Sequence, residues 1–269
     1  MPELPDVEGF RRVLADHGVG VRIDDVDVAD AGVLRNVDAE ELRRSLSGRY
    51  FDEPRRHGKW LVGPTRLARS GHQPDDPSLV FHFGMTGGLV WADRDGAERH
   101  RHDRIVLVLS NGELRYRDMR KLQGVRLSRT DTDVGELLGN TGPDVFDLTP
   151  AELGARLAGL RRQVKPALMD QEVVAGLGNL LVDEILWRSH LHPARPTTDL
   201  SRADRDRMYR RMRTVLRTSV AVGHVPGRSS WLTGNREKEG APCPHCGTPL
   251  RHSRIGGRTT VWCPHCQER

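Results

Sequence analysis

Cys243-Pro-His-Cys246 and Cys263-Pro-His-Cys266 enclose sixteen residues near the C-terminus, so the chain reads C-x2-C-x16-C-x2-C with all four of its cysteines used. This is the spacing of a tetrahedral zinc site. Four thiolates close the coordination shell and leave no position for a substrate water, which predicts one structural Zn2+ rather than a catalytic one. A pair of disulfides would use the same residues. The opening Met1-Pro-Glu-Leu-Pro-Asp6 lacks the basic and apolar regions of a secretory signal, however, which argues for reduced thiols and a cytoplasmic protein. His245 and His265 are ligands by type, but the paired cysteines already fill the site. Within the loop, Ile255-Gly-Gly-Arg-Thr-Thr260 reads as a hairpin tip carrying Arg258 outward, and a metal-braced basic tip suits phosphate contact.

Outward from the finger, charge is unevenly spread. Residues 1–149 hold 22 Lys/Arg against 26 Asp/Glu and residues 150–269 hold 20 against 11, so a net +5 divides into −4 and +9. A basic half of this kind points to a polyanion, nucleic acid first and acidic protein or lipid second. Arginine outnumbers lysine 38 to 4, which makes Lys59, Lys121, Lys165 and Lys238 stand out. No run approaches the ~20 apolar residues of a membrane span.

The basic half reads as helical. Thr149-Pro-Ala-Glu152 combines an N-cap, a proline at the first helical position and a capping-box glutamate, opening a helix to about Leu160. Ser201 with Asp204 repeats the pattern before a long basic helix to about Val222. Between them, Ala167 to Val174 and Leu180 to Ser189 look helical and meet at Ala175-Gly-Leu-Gly-Asn179, a turn able to offer backbone N–H groups to a phosphate. The acidic half reads as one helix over 3–17 and then as β structure. Val21–Val28, Lys59–Val62, Leu79–Phe83, Arg104–Leu109 and Glu113–Arg117 are short β-rich runs, and Ser110-Asn-Gly-Glu113 carries an Asn-Gly hairpin signal. An antiparallel sandwich or barrel follows. The expected domains are 1–134 (β), a glycine-rich linker 135–149, a helical domain 150–225 and a finger 237–269.

At the N-terminus, removal of Met1 would leave Pro2 with a free secondary amine beside the carboxyl group of Glu3. An α-amino group has an ordinary pKa of about 8, so a useful fraction is neutral near pH 7. A nucleophile beside a proton donor or acceptor is what covalent amine catalysis needs.

Taken together, these segments resemble the formamidopyrimidine-DNA glycosylase and endonuclease VIII family of bacterial base-excision repair enzymes. The resemblance rests on Met1-Pro-Glu-Leu-Pro-Asp-Val-Glu8, Phe83-Gly-Met-Thr-Gly87, Leu168-Met-Asp-Gln171 leading to Val174-Ala-Gly-Leu-Gly-Asn179, and the finger with Gly256-Gly-Arg258. It implies an α+β fold: a helix-flanked antiparallel β-sandwich, a helix-two-turn-helix domain and a four-cysteine finger. By motif, Pro2 is similar to the nucleophile that attacks C1′ of a damaged nucleotide and Glu3 to the acid/base group that assists sugar opening, with strand cleavage by β,δ-elimination. Lys59 in Arg55-Arg-His-Gly-Lys59 resembles a catalytic-site lysine that binds phosphate near the lesion. Lys165 ahead of its helix, Asn179 in the glycine turn and Arg258 at the finger tip resemble the other phosphate contacts. Met85 and Arg120 match side chains that fill the gap left by an extruded nucleotide.

The chain departs from the family pattern in three places. Asp6 stands where glutamate is usual. Asp118-Met-Arg-Lys-Leu-Gln123 replaces Asp-Pro-Arg-Arg-Phe-Gly, with Leu122 for the aromatic wedge, and Trp231-Leu-Thr-Gly-Asn-Arg-Glu237 lacks the usual Tyr-Gly-Arg. Leu4 favours the oxidised-purine branch over the oxidised-pyrimidine branch, where glycine is usual. The expectation is a monomeric bifunctional DNA glycosylase and abasic-site lyase acting on damaged double-stranded DNA, with no membrane partner. The alternatives are an oxidised-pyrimidine enzyme of the same family, a non-catalytic damaged-DNA-binding paralogue and, more distantly, a zinc-ribbon interaction module.

Overall fold

The computed structural model describes residues 1–68, 71–93 and 98–268. The chain divides into two compact units, one of Met1–Pro2 with Asp6–Gly139 and the other of Glu3–Pro5 with Asn140–Arg269.

In the first unit the elements are α1 (Leu4–Gly18, whose first two residues group with the second unit), β1 (Ile23–Val28), α2 (Ala39–Leu46), β2 (Tyr50–Phe51), β3 (Arg55–His57), β4 (Trp60–Arg66), β5 (Ser78–His82), β6 (Gly88–Asp93), β7 (Asp103–Leu109), β8 (Gly112–Arg117), β9 (Val125–Ser128) and α3 (Asp131–Leu138). One sheet runs β1-β7-β8-β6; the other runs β2-β4-β5-β9 with β3 added on β4. All strand pairs are antiparallel. Ile23, Leu107, Leu114 and Tyr116 of the first sheet share one apolar core with Leu61, Leu79, Phe81 and Leu127 of the second, and Val7 and Leu14 of α1 with Leu42 and Leu46 of α2 complete it. This is a helix-flanked sandwich. The five runs expected to be strands overlap β1, β4, β5, β7 and β8; those over 104–109 and 113–117 lie inside their strands, and the other three overrun an end by one or two residues.

Three local readings need correction. The 39–46 segment is helical rather than β: Asp38 accepts from the Glu41 N–H (2.7 Å), acids fill the first turn and arginines the last, and only Leu42 and Leu46 are buried. A short helix with two buried positions leaves little periodic signal. At the Ser110–Gly112 hairpin the turn residues are Ser110-Asn111, and Gly112 already pairs with Leu109. Glycine is needed at 112 for packing, because a Cβ there would lie 2.6 Å from Ala92 O and from the Trp91 ring. The linker expected from Gly135 begins inside α3, whose Thr130–Asp133 capping box starts a helix before the glycine is reached.

The second unit contains α4 (Pro150–Ala158), α5 (Val164–Met169), α6 (Asn179–Arg188), α7 (Arg202–Val222) and the hairpin β10 (Arg251–Ile255) with β11 (Arg258–Trp262). Both capping boxes, Thr149–Glu152 and Ser201–Asp204, form. Leu4 packs with Leu153, Leu157, Leu168, Leu181, Ile185, Met208, Met212 and Leu216 in the core of this unit. α5 ends at Met169 rather than near Val174, because extended Asp170 leaves the helix and its carboxylate accepts from the Glu172 N–H (2.9 Å). Lys165 therefore sits within α5, not ahead of it. Among the described residues no helix is long and apolar enough to cross a membrane.

Candidate functional site

Glu3 is fully buried, and its carboxylate meets the first turn of α6: Oε1 accepts from the Leu180 N–H (2.8 Å) and Oε2 from the Leu181 N–H (3.0 Å). These are two of the donors that a helix start leaves unpaired, at the positive end of the helix dipole. Gly178, at the N-cap, has no side chain to satisfy them. A Cβ at 178 would lie 2.2 Å from Glu3 Cδ, so the glycine is what admits the carboxylate. Just past the glycine turn, the Leu180 and Leu181 N–H groups are thus taken by the protein's own acid. Pro2 precedes this fixed carboxylate by one peptide bond.

Three of the sequence-selected residues gather around the start of β11. Asn179 Nδ2 donates to Thr259 O (3.0 Å), and Lys165 Nζ donates to the same carbonyl (3.2 Å), to Thr260 Oγ1 (2.8 Å) and to Asp183 Oδ1 (2.6 Å). Arg258 is exposed beside the Gly256-Gly257 turn. Lys165, which the resemblance placed among the phosphate contacts, is 0% exposed, and all three of its donors are engaged within the protein. Asp183 also accepts from the Val261 N–H (3.2 Å) and lies 3.4 Å from Arg236 Nη1. Burial pushes the Lys165 ammonium down and the Asp183 carboxyl up, each opposed by the other's charge. Their common effect is to fasten α5 and α6 to the hairpin that carries Arg258.

The four cysteine sulfurs lie within 4.8 Å of one another, a donor set that suits a tetrahedral thiophilic ion. Cys243, Cys246, Cys263 and Cys266 would hold it. The Cys263 and Cys266 segment is tied to Leu191, just after α6, through Gln267, which accepts from the Cys263 N–H (2.9 Å) and donates to Leu191 O (2.8 Å).

In the first unit, Lys59 and Gly58 form the turn of the β3–β4 hairpin, where His57 pairs with Trp60. Arg56 of that hairpin lies 3.4 Å from Glu8 of α1. The Lys59 charge also bears on His82, whose ring is driven down to about 4 by burial, then by Lys59 and Arg126. Met85 and Arg120 are neighbours, with Arg120 Nη1 donating to Met85 Sδ (3.2 Å). Their two loops are joined by groups that the sequence reading missed. Thr86 Oγ1 donates to Asp118 Oδ1 (2.6 Å), and the Arg120 N–H donates to both of those oxygens (3.0 Å each). Arg35 holds the same loop through Lys121 O (2.7 Å) and Gln123 O (2.8 Å). Met119 and Leu122 are left 55% and 51% exposed. Thr86 and Asp118 both lie in quoted motifs, but only the antiparallel pairing that closes the β5–β6 and β8–β9 loops makes them partners.

A β-sandwich followed by a helical unit that ends in a four-cysteine hairpin, with a buried N-terminal glutamate on a helix start, defines a class of DNA-repair glycosylases. Three family models match in order: the formamidopyrimidine-DNA glycosylase N-terminal domain over residues 1–125, its H2TH domain over 140–229, and the zinc finger found in FPG and IleRS over 240–269. Formamidopyrimidine-DNA glycosylases of Desulfitobacterium hafniense (33% identical, 99% of this chain and 100% of the relative) and Symbiobacterium thermophilum (36%, 99% and 89%) are similar along the chain. Crystal structures of Lactococcus lactis formamidopyrimidine-DNA glycosylase superpose over all of both chains. One is of a point mutant in complex with Fapy-dG DNA (TM-score 0.87, 30% identity) and one is bound to DNA containing an abasic site (TM-score 0.85, 28%). The chain belongs to the formamidopyrimidine-DNA glycosylase family, enzymes of DNA repair that are DNA glycosylases with abasic-site lyase activity.

Proposed function

We propose that the protein excises oxidised bases, purines in preference, from duplex DNA and then cleaves the abasic strand, using Pro2 as an amine nucleophile once Met1 is removed. The observation that carries this reading is the Glu3 carboxylate held on the first turn of α6, directly after Pro2. The Pro2 nitrogen bonds to C1′ as the glycosidic bond breaks and the base leaves with a proton. Glu3, fixed on the first turn of α6, supplies and withdraws a proton at the sugar ring oxygen. The resulting iminium acidifies the C2′ proton, and its loss expels the 3′-phosphate (β-elimination); a further elimination expels the 5′-phosphate (δ). Asn179 and Arg258, with Lys59, contact the DNA backbone, and Met85 and Arg120 enter the space vacated by the extruded nucleotide. Lys165 supports Asn179 and Arg258 from inside. The four cysteines hold one structural Zn2+, which when bound crosslinks the two halves of the finger.

Borohydride reduction during incision of a damaged duplex tests the roles. The parent, beginning at Pro2 by intact mass, forms a covalent protein–DNA complex; Pro2→Gly, left with a primary amine, traps and cleaves much less, and Glu3→Gln loses base excision. Equal trapping and cleavage by both variants overturns the assignment, and binding without any incision by the parent marks a non-catalytic DNA-binding protein. Duplexes carrying oxidised purines, oxidised pyrimidines or abasic sites, read opposite each base, decide the preference.

A further inference from the structure

Trp187 lies in the third turn of α6 and is 7% exposed. Its indole Nε1–H donates to Cys243 Sγ at 3.3 Å, within the usual range for a donor meeting sulfur. The ring is not a stray neighbour of the finger: it shares an apolar cluster with Leu232, Ala241, Cys243, Leu250, Val261 and Cys263, and the Arg188 guanidinium stands 5.4 Å from its centroid. The sulfur it reaches is one of the four within 4.8 Å of each other.

We propose that Trp187 is an outer-shell donor to the metal centre, supplied by α6 rather than by the finger. This rests on the reading of the four cysteines as a zinc site. An N–H bonded to a ligating thiolate draws off part of its charge and fixes the direction of its lone pairs, and such outer-shell partners typically account for 10- to 100-fold in metal affinity. The donor also makes one helix serve two centres, because the first turn of α6 holds the Glu3 carboxylate and its third turn holds Cys243. Trp262 provides an internal contrast. It adjoins Cys263 in sequence, yet its Nε1 is buried without a hydrogen-bond partner, so removing its N–H takes nothing from a thiolate.

The test is competition for zinc between the full-length protein and a chromophoric chelator. Trp187→Phe, which keeps an aromatic ring in the cluster, is expected to bind zinc about 10-fold more weakly than the parent, while Trp262→Phe stays at the parent's affinity. Equal affinity in the parent and Trp187→Phe overturns the proposal. A parent that binds no zinc overturns the metal reading itself, a separate failure. If Trp187→Phe does not fold, the parent decides the matter. Loaded with 113Cd, its Trp187 indole proton should show a through-hydrogen-bond coupling to the metal that the Trp262 indole proton lacks, and absence of that coupling overturns the proposal.

Discussion

At Gly178 the space for a single methyl group decides whether the Glu3 carboxylate reaches α6. Gly178→Ala is expected to lower base excision on the order of 100-fold, the scale of an ångström-sized misplacement of a catalytic group, while circular dichroism shows the helices retained. Unchanged excision would separate Glu3's position from its role. His82 offers a second handle. Its Nδ1 accepts from the Gly84 N–H (3.1 Å), which steadies the loop carrying Met85, and its folded-state value of about 4 lies below the ordinary 6.5. For a histidine depressed in this way the folded state takes up its proton later than the unfolded state, so the stabilisation is complete above about pH 6.5 and is lost as the pH falls through about 4. The thermal midpoint should therefore drop between those pH values, and His82→Gln should flatten that part of the profile. Pro2, Glu3 and the four cysteines stood out in the sequence because their pattern is local: a proline before a carboxyl at positions 2 and 3, and thiols at ligand spacing. Gly178's purpose did not, since the carboxylate it admits arrives from 175 positions away in the chain.

Among the elements, α6 does the most work. Its first turn binds Glu3, its middle presents Asp183 to Lys165 and to the β11 backbone, and its third turn reaches Cys243. Removing one partner of a buried ion pair leaves the other charge uncompensated, at a cost of about 3 kcal/mol. Asp183→Asn should lower unfolding free energy by about that amount in denaturant titration. It should also weaken DNA binding more than it slows single-turnover cleavage of bound DNA, because the hairpin bearing Arg258 loses its tie. A variant with parental stability would show that Lys165 is held by Thr259 and Thr260 alone. The capping boxes at Thr149 and Ser201 announced α4 and α7 because a cap is a contact between residues three apart. α2 and the early stop of α5 escaped notice for the converse reason. Two buried leucines and one capping aspartate make a weak pattern, and the turn after α5 depends on where Asp170 aims its side chain.

For the molecule as a whole, the concentration of positive charge in residues 150–269 predicts a DNA affinity that falls as salt rises. Arg258→Ala should weaken binding to any duplex sequence and reduce the log–log salt slope by about 1, as loss of one phosphate contact does. An unchanged slope would place Arg258 away from the backbone. The sequence by itself determined the class of each part: strands where β-rich runs alternate with turn residues, capped helices in the basic half, a four-thiol finger and a proline directly before an acid at positions 2 and 3. All of these are written in composition and short spacings. Only the tertiary structure decided that Gly178 makes room for Glu3, that Lys165 is buried against Asp183, and that Thr86 and Asp118 clasp the loops of Met85 and Arg120. Those outcomes depend on which distant polar groups meet once the apolar core has formed, and no local pattern encodes a partner 18, 32 or 178 residues away.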